Sequence, residues 1–203
     1  MRRIIRESHG HMSPGQDLVM VGYAGFLGTR ILAEKKEEIL LSWFSKAYIT
    51  SRVTDTKEET ARSPGFWQEL GASEWEPITE GGILAALWNI SGAYQTGITV
   101  KLRDIPIRQV TVEICERFEL NPYRLLTDGF LLAADHGGDL VEALAKRGIP
   151  AAVIGKVTTG IKRLIDTGEG VAYLDRPAED ELNRVLPGYI SYKESENNRR
   201  QES

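Results

Sequence analysis

Three regularly spaced glycines follow an apolar run near the start of the chain, in the stretch VMVGYAGFLGTRILAE. Gly22, Gly25 and Gly28 lie between a predicted strand and a predicted helix, an arrangement in which free backbone N–H groups can bind a phosphate. Their spacing, G-x-x-G-x-x-G, differs from the dinucleotide pattern G-x-G-x-x-G, and no Gly-Lys-Ser/Thr follows. The spacing alone therefore favours a close strand-to-helix crossing that has no room for a Cβ atom.

A second candidate site is the run Thr79-Glu80-Gly81-Gly82 at the start of a predicted helix. Two glycines in a first helical turn cost about 1 kcal/mol each relative to alanine. Such a start is typical of a place where another group approaches the backbone closely, and Thr79 and Glu80 add a hydroxyl and a carboxylate. The approaching group is either a polar ligand or a neighbouring element of the protein, and both interpretations stay open.

A third candidate site is Thr127-Asp128, which precedes Gly129 and an apolar run. These residues could line a cleft, although the turn chemistry of Asp-Gly favours a simple turn. The residues predicted to bind a ligand are Gly22, Gly25, Gly28, Thr79, Gly81, Gly82, Thr127 and Asp128.

The sequence predicts no metal site and no catalytic cysteine. The histidines are His9, His11 and His136, and no set of ligands with metal-site spacing accompanies them. Cys115 falls beside the apolar stripe of a predicted helix, which indicates a packed thiol. No nucleophile elbow G-x-S-x-G is present.

Helical and strand patterns alternate along the chain and end in an antiparallel hairpin, which predicts an α/β fold with a mixed sheet covered by helices. A polar stretch, residues 50–76, is predicted as a loop with one or two helical turns. The predicted strands are 17–23, 97–102, 129–134, 151–157, 163–166 and 171–174. The predicted helices run from the glycine turn to Trp43, from Thr79 as its cap to Ile90, from Pro106 to Leu120, and from Gly138 to Arg147.

Composition fits one compact domain: the chain has 203 residues, of which 41% are hydrophobic and 27% charged. The net charge of −4 and the absence of a basic patch argue against nucleic acid as a partner. No apolar run approaches the roughly 20 residues that span a membrane, and the single cysteine fits the reducing cytoplasm. We expect a flexible lead-in at 1–13, one domain at 14–188 and a disordered tail at 189–203.

Four segments in this order resemble one known superfamily: PGQDLVMVGYAGFLGTRILAE, ITEGGILAALWNISGAYQTGITVKLRDIPI, ICERFELNPYRLLTDGFLLAA and GIPAAVIGKVT. They are similar to the C-terminal half of the aminoimidazole-ribonucleotide (AIR) synthetase superfamily, which includes the hydrogenase-maturation dehydratase, selenophosphate synthetase and thiamine-monophosphate kinase. The resemblance runs from about Pro14 to about Leu186 and is weakest between Ser45 and Trp75. It implies an α/β domain that completes a cleft against an N-terminal domain, where ATP and magnesium activate a substrate oxygen.

The chain departs from the family in three respects. The resemblance begins so early that we expect the N-terminal half, which carries most of the metal-ATP aspartates, to be absent. Members read His-Asp-Val-Thr/Ser-Glu/Asp-Gly-Gly at the helix start, whereas this chain has Glu76 and Pro77 at the His and Asp positions. The hydrogenase-maturation dehydratase carries a C-terminal cysteine as acceptor, whereas this sequence ends in Gln-Glu-Ser, so we expect that this chemistry does not run on its own tail.

Three hypotheses follow from the resemblance. The first is a domain without catalysis of its own that binds a small polar or phosphorylated ligand or a partner chain. Such a domain would need no cofactor when it acts alone. The second is the acceptor-side half of a two-chain ATP-dependent ligase or dehydratase, in which ATP and magnesium come with an N-terminal-domain partner and Glu80 or Glu76 supplies a carboxylate. The third is a degenerate remnant without a ligand. An uncovered face also predicts self-association, or a segment folded back as its cover, through Trp43, Phe66, Trp67 and Trp75.

Overall fold

The structure is a computed structural model that describes residues 10–54 and 64–190. Within these ranges the chain forms one seven-stranded mixed sheet with helices on both faces, which confirms the α/β fold predicted from sequence. The strands are β1 Asp17–Val21, β2 Ala72–Ile78, β3 Gly97–Lys101, β4 Gly129–Ala134, β5 Ala151–Thr158, β6 Arg163–Asp166 and β7 Val171–Tyr173. The helices are α1 Phe26–Lys35, α2 Glu37–Leu40, α3 Lys46–Val53, α4 Pro64–Glu69, α5 Gly82–Tyr94, α6 Gln109–Phe118, α7 Gly137–Ala145 and α8 Leu182–Val185.

Strand β1 is an interior strand of the sheet, whose order is β2-β4-β1-β5-β3-β6-β7. It runs antiparallel to both of its neighbours, β4 and β5. Strands β3 and β6 pair in parallel, and β7 returns antiparallel to β6 as the predicted hairpin. The tight turn of that hairpin is closed by a hydrogen bond of 2.9 Å from Thr167 N to Gly170 O.

The two faces of β1 contribute to two separate cores, because successive side chains of a strand point to opposite faces. Leu18 and Met20 pack in the core that α5 covers, whereas Val19 and Val21 pack in the core that α4 and α7 cover. Because both faces of β1 are buried, nearly every residue of this strand must be apolar, which explains the continuous apolar run in the sequence.

A third core lies beyond the end of β1, among α1, α2, α3 and α6. Leu32 of α1, Ile114 of α6 and Leu125 after α6 are each fully buried there, with 0% exposure. The glycine turn between β1 and α1 therefore lies where the sheet joins this helical cluster.

Strand β2 corrects the prediction of a loop with helical turns over residues 50–76. It pairs antiparallel with β4, with a register shift between Ala72 and Glu74. Glu74 is fully buried, and its carboxylate accepts hydrogen bonds from Trp75 N at 2.8 Å and from the Tyr94 hydroxyl. A buried glutamate between two partly exposed residues hides the apolar alternation from which strands are predicted.

Two helix boundaries also differ from prediction. The helix after the glycine turn breaks at Lys36, and Trp43 lies beyond its second segment with 46% of its surface exposed. Helix α6 begins at Gln109 and not at Pro106, because the Pro106 carbonyl accepts a hydrogen bond of 2.9 Å from Ala24 N.

The aromatic residues predicted to form an exposed patch divide into two groups. Trp67 is 1% exposed, and its ring lies 4.8 Å from that of Phe130 on the sheet, so the prediction of exposure is wrong for this residue. Phe66 and Trp75 are partly buried against the same core. Helix α4, which carries Phe66 and Trp67, packs on the sheet, Trp75 lies in the edge strand β2, and Trp43 is 46% exposed.

The predicted lead-in and tail fall mostly outside the described residues, at 1–9 and 191–203. Of the lead-in, Met12 is 5% exposed in the core under α5, and His11 N donates to Ser73 O at 3.0 Å. At the other end Ile190 is 9% exposed in the helical core. The flexibility of the two terminal segments stays a prediction.

Candidate ligand site at the start of helix α5

The three sequence motifs meet on one loop, residues 119–128, which joins α6 to β4. Gly25 N donates to the Thr127 hydroxyl, and Gly28 N donates to the Leu126 carbonyl, each at 2.8 Å. Thr127 N in turn donates to Thr79 O at 3.3 Å. The structure therefore brings the candidate residues together, although no feature of the sequence indicated that the motifs touch each other.

The N–H groups of the glycine turn are used inside the domain. Besides the two bonds to the 119–128 loop, Gly22 N donates to the Pro150 carbonyl at 2.9 Å. An anion at this turn would have to compete with these bonds, since a buried N–H group that loses its acceptor costs free energy. The arrangement supports the interpretation of the turn as a close crossing.

The approach of the loop explains why two of these positions are glycine. A Cβ atom at Gly25 would lie 2.7 Å from the Pro122 carbonyl oxygen, and one at Gly28 would lie 2.5 Å from Leu125 Cγ. Gly28 belongs to α1 itself and not to the turn predicted from sequence. The two glycines thus allow α1 and the loop to pack in direct contact.

At the start of α5, Gly82 approaches the same loop, whereas a Cβ atom at Gly81 would lie 2.8 Å from Ala85 Cβ of α5 itself. Gly81 and Gly82 have φ angles of +75° and +64°, and a Cβ atom at Gly82 would lie 2.5 Å from the Tyr123 carbonyl oxygen. The prediction that the Thr79 side chain caps this helix is wrong. The N-cap residue is Gly81, which has no side chain to accept a hydrogen bond. It is the Thr79 carbonyl that accepts from Gly82 N, at 3.1 Å.

Asp180 supplies the acceptor that the helix start needs, and sequence reasoning missed it. Its Oδ2 accepts from Gly81 N at 2.7 Å, and its Oδ1 accepts from Leu126 N at 3.2 Å and Leu182 N at 2.8 Å. The side chain is 1% exposed, and burial raises its pKa although the three N–H groups oppose that shift. An aspartate two residues before a helical leucine indicates a local cap, but nothing local indicates the contact with Gly81.

The surface above this junction is polar and acidic. Thr79 and Glu80 are exposed, whereas Asp128 and Glu76 are partly buried. The pairing of Ile78 with Gly129 places Glu80 and Asp128 at the same end of the sheet, and Glu76 lies deeper, opposite Leu131 on the α5 side. Within the described ranges, no group of three or more His, Cys, Asp or Glu residues is arranged to hold a metal ion.

Two clefts in the described part of the molecule lie away from this surface. The larger, of about 480 Å³, lies between α1 and α3, and the smaller, of about 370 Å³, lies beside α8. Neither is lined by any residue predicted to bind a ligand. At the candidate site itself, Thr79 and Glu80 are exposed at the surface.

Cys115 and the histidines that the structure describes stand outside the candidate site. Cys115 is 1% exposed in the helical core, and burial raises the pKa of its thiol to about 12, as expected for a packed cysteine. His11 and His136 are exposed, and His9 lies outside the described residues.

Comparison with known proteins shows the fold, and part of the chain matches the model of a known family. Residues 72–166, from β2 to β6, match the family described as AIR synthase related protein, C-terminal domain. This match bears out the resemblance to the AIR synthase-related superfamily that the sequence predicted. No curated protein matches the chain, and none of the described helices is long and apolar enough to cross a bilayer.

Solved structures of the same fold are larger proteins. A chain of a HypE–HypF complex matches with a TM-score of 0.63 at 20% identity, over 83% of this chain and 55% of that one. HypE in complex with ATP matches with a TM-score of 0.62 at 19% identity, over 86% and 54%. Thiamine-monophosphate kinase from Stenotrophomonas maltophilia K279a matches with a TM-score of 0.59 at 17% identity, over 77% and 52%. The chain thus spans about half the length of these proteins.

Proposed function

We propose that this domain has no catalytic activity of its own and provides one side of a composite site that binds a small polar or phosphorylated ligand. The other side is a partner surface, on another chain or elsewhere on a longer one. The exposure of the polar side chains of Thr79 and Glu80 at the start of α5 carries the proposal, because a small ligand is normally held in a concave site that buries most of its surface. The match to a chain of a HypE–HypF complex supports association with a partner.

The candidate residues divide into a frame and a contact surface. Gly22, Gly25, Gly28, Gly81, Gly82 and Thr127 form the frame, since their contacts hold β1, α1, α5 and the 119–128 loop together. Thr79, Glu80 and Asp128 form the contact surface, where a hydroxyl and two carboxylates can orient a polar ligand. The negative charge of this surface favours a ligand whose phosphate arrives already bound to a cation.

A second candidate function is the acceptor-side half of an ATP-dependent enzyme, and the similarity to HypE in complex with ATP and to thiamine-monophosphate kinase supports it. The partner would bring ATP and magnesium, and Glu80, with Glu76 behind it, would supply a carboxylate for ligase- or dehydratase-type chemistry. A remnant without a ligand is the remaining alternative. The partner could also be a second copy of this chain, which would associate through the exposed Trp43. Each of these assemblies is proposed to act in the cytoplasm.

The test is an ADP-release assay with magnesium-ATP on the chain alone and on the chain mixed with a purified N-terminal domain of a HypE-type protein. We expect no release by the chain alone. Release by the mixture that is lost in Glu80→Ala but kept in the control Glu38→Ala, an exposed glutamate on α2, supports the two-part enzyme. Turnover by the chain alone that Glu80→Ala abolishes overturns the proposal.

A further inference from the structure

Asp180 connects three parts of the chain through one buried carboxylate. It accepts N–H groups from the start of α5 at Gly81, from the 119–128 loop at Leu126, and from α8 at Leu182, at 2.7, 3.2 and 2.8 Å. Gly81 is buried, so its N–H group depends on this acceptor. The carboxylate therefore does at the start of α5 what a helix cap does, but from 99 residues away in the sequence.

The residues around Asp180 are joined to the same loop by further polar contacts. Glu181 N donates to Arg124 O at 3.4 Å, and Arg184 Nη1 donates to Glu119 O at 2.8 Å. Arg124 also forms an ion pair of 3.2 Å with Asp175, whose side chain is 80% exposed. Residues 175–186, which we name the strap, thus cross the whole 119–128 loop.

The strap has little apolar anchoring of its own. Leu182 is fully buried in the helical core, while Val185 and Leu186 are only partly buried and residues 175–179 are exposed. Its one helix, α8, has four residues. Segments with few buried apolar contacts and exposed hydrogen bonds open at a lower free energy than the whole domain unfolds.

We infer that the strap opens as one unit and controls access to the start of α5, with the Asp180 carboxylate as its latch. In the closed state the strap lies over the 119–128 loop and occupies the N–H groups of Gly81 and Leu126. In the open state both groups lose their acceptor together, and the loop loses its contacts to Glu181 and Arg184. This device does not depend on which ligand or partner the domain has.

Native-state hydrogen exchange of the full chain tests the inference. In the wild-type chain we expect the amides of Gly81, Leu126 and Leu182 to share one opening equilibrium constant, about tenfold or more above that of the Met20 amide in the interior strand β1. Asp180→Asn puts an NH₂ group or a weaker neutral acceptor against the three donors, so the protection of Gly81 and Leu126 should fall about tenfold or more. Met20 should change far less.

Glu179→Gln is the matched control, because it removes one negative charge from an exposed strap residue that accepts from Asn183 at 2.9 Å. It should leave the exchange of Gly81 and Leu126 within about twofold of wild type. If Asp180→Asn does not fold, Arg184→Ala loosens the strap from its other end and should expose the same three amides together. The inference is overturned if these amides exchange only with Met20, or if only Leu182 responds to Arg184→Ala.

Discussion

The Gly25 N–H group donates a hydrogen bond of 2.8 Å to the Thr127 hydroxyl, 102 residues further along the chain. The same hydroxyl donates to the Leu125 carbonyl at 2.9 Å, so Thr127 fixes the glycine turn to the 119–128 loop. Both groups are buried. Through this contact the glycine turn, which could bind a phosphate, and the Thr127-Asp128 motif, which could line a cleft, together form a structural junction.

Thr127→Val should destabilise the domain, because the new side chain has the same shape but leaves Gly25 N without an acceptor. We expect a loss of about 1–3 kcal/mol in the free energy of unfolding, measured by denaturant titration. Thr159→Val, at an exposed threonine, is the control and should stay within about 0.5 kcal/mol. Equal effects of the two substitutions would contradict the role assigned to Thr127.

Gly82→Ala should be costly and Gly138→Ala should not. A Cβ atom at Gly82 would lie 2.5 Å from a backbone oxygen at a φ of +64°, whereas a Cβ atom at Gly138 meets nothing within 4 Å. We expect Gly82→Ala to destabilise by about 2 kcal/mol or more, and Gly138→Ala, within α7, to be neutral or to stabilise by up to about 1 kcal/mol. Thermal unfolding of both variants checks this, and a tolerated Gly82→Ala would show that the loop can move aside.

Cys115 should not react with thiol reagents while the domain is folded. Burial raises the pKa of this thiol to about 12, so the thiolate is scarce at neutral pH and is also covered by its neighbours. Labelling with a disulfide reagent should proceed only as fast as the chain opens, and should speed up sharply in denaturant. Labelling of the native chain at the rate of a free cysteine would be inconsistent with the buried position.

Asp17 should contribute stability that acid removes. Burial raises the pKa of Asp17, but the hydrogen bonds from Lys156 Nζ at 2.6 Å and Gly137 N at 3.0 Å outweigh it, and the pKa lies below the usual 3.8. An acid whose pKa is lower in the folded state stabilises that state above its unfolded pKa and loses this effect as the pH falls through the folded value.

The measurement is the difference in free energy of unfolding between wild type and Asp17→Asn at several pH values. The wild-type chain should have the larger free energy of unfolding near neutral pH, and the difference between the two chains should shrink below pH 3.8. The size should be no more than about 1 kcal/mol, since Lys156 is well exposed. A difference that does not change between neutral and strongly acidic pH would refute the assignment.

The parts of the fold that sequence predicted are those with a local signal. Strand β4 is an unbroken apolar run, and the β6–β7 hairpin has a Thr-Gly-Glu-Gly turn between two short strands. Each of these patterns depends only on neighbouring residues. Strand β2 has no such pattern, because a buried glutamate, Glu74, occupies a position where an apolar residue is expected.

The candidate site was predictable in its residues but not in its arrangement. Glycines 25 and 28 were predicted to allow a close approach, glycines 81 and 82 to admit either a ligand or a neighbouring element, and the structure shows a neighbouring loop at 25, 28 and 82. That the approaching element is the 119–128 loop, and that Asp180 closes the start of α5, depends on contacts between residues about 40 to 100 positions apart. Such contacts leave no periodic trace in a single sequence.

The central claim is that the polar surface at the start of α5 is one side of a site and needs a partner. The most direct test follows the backbone amide resonances of Thr79, Glu80 and Asp128 during titration with magnesium-ATP, with and without the N-terminal domain of a HypE-type protein. We predict no saturable shift with magnesium-ATP alone and a saturable shift of all three when the partner domain is present. Saturable shifts of these amides with magnesium-ATP alone would contradict the claim.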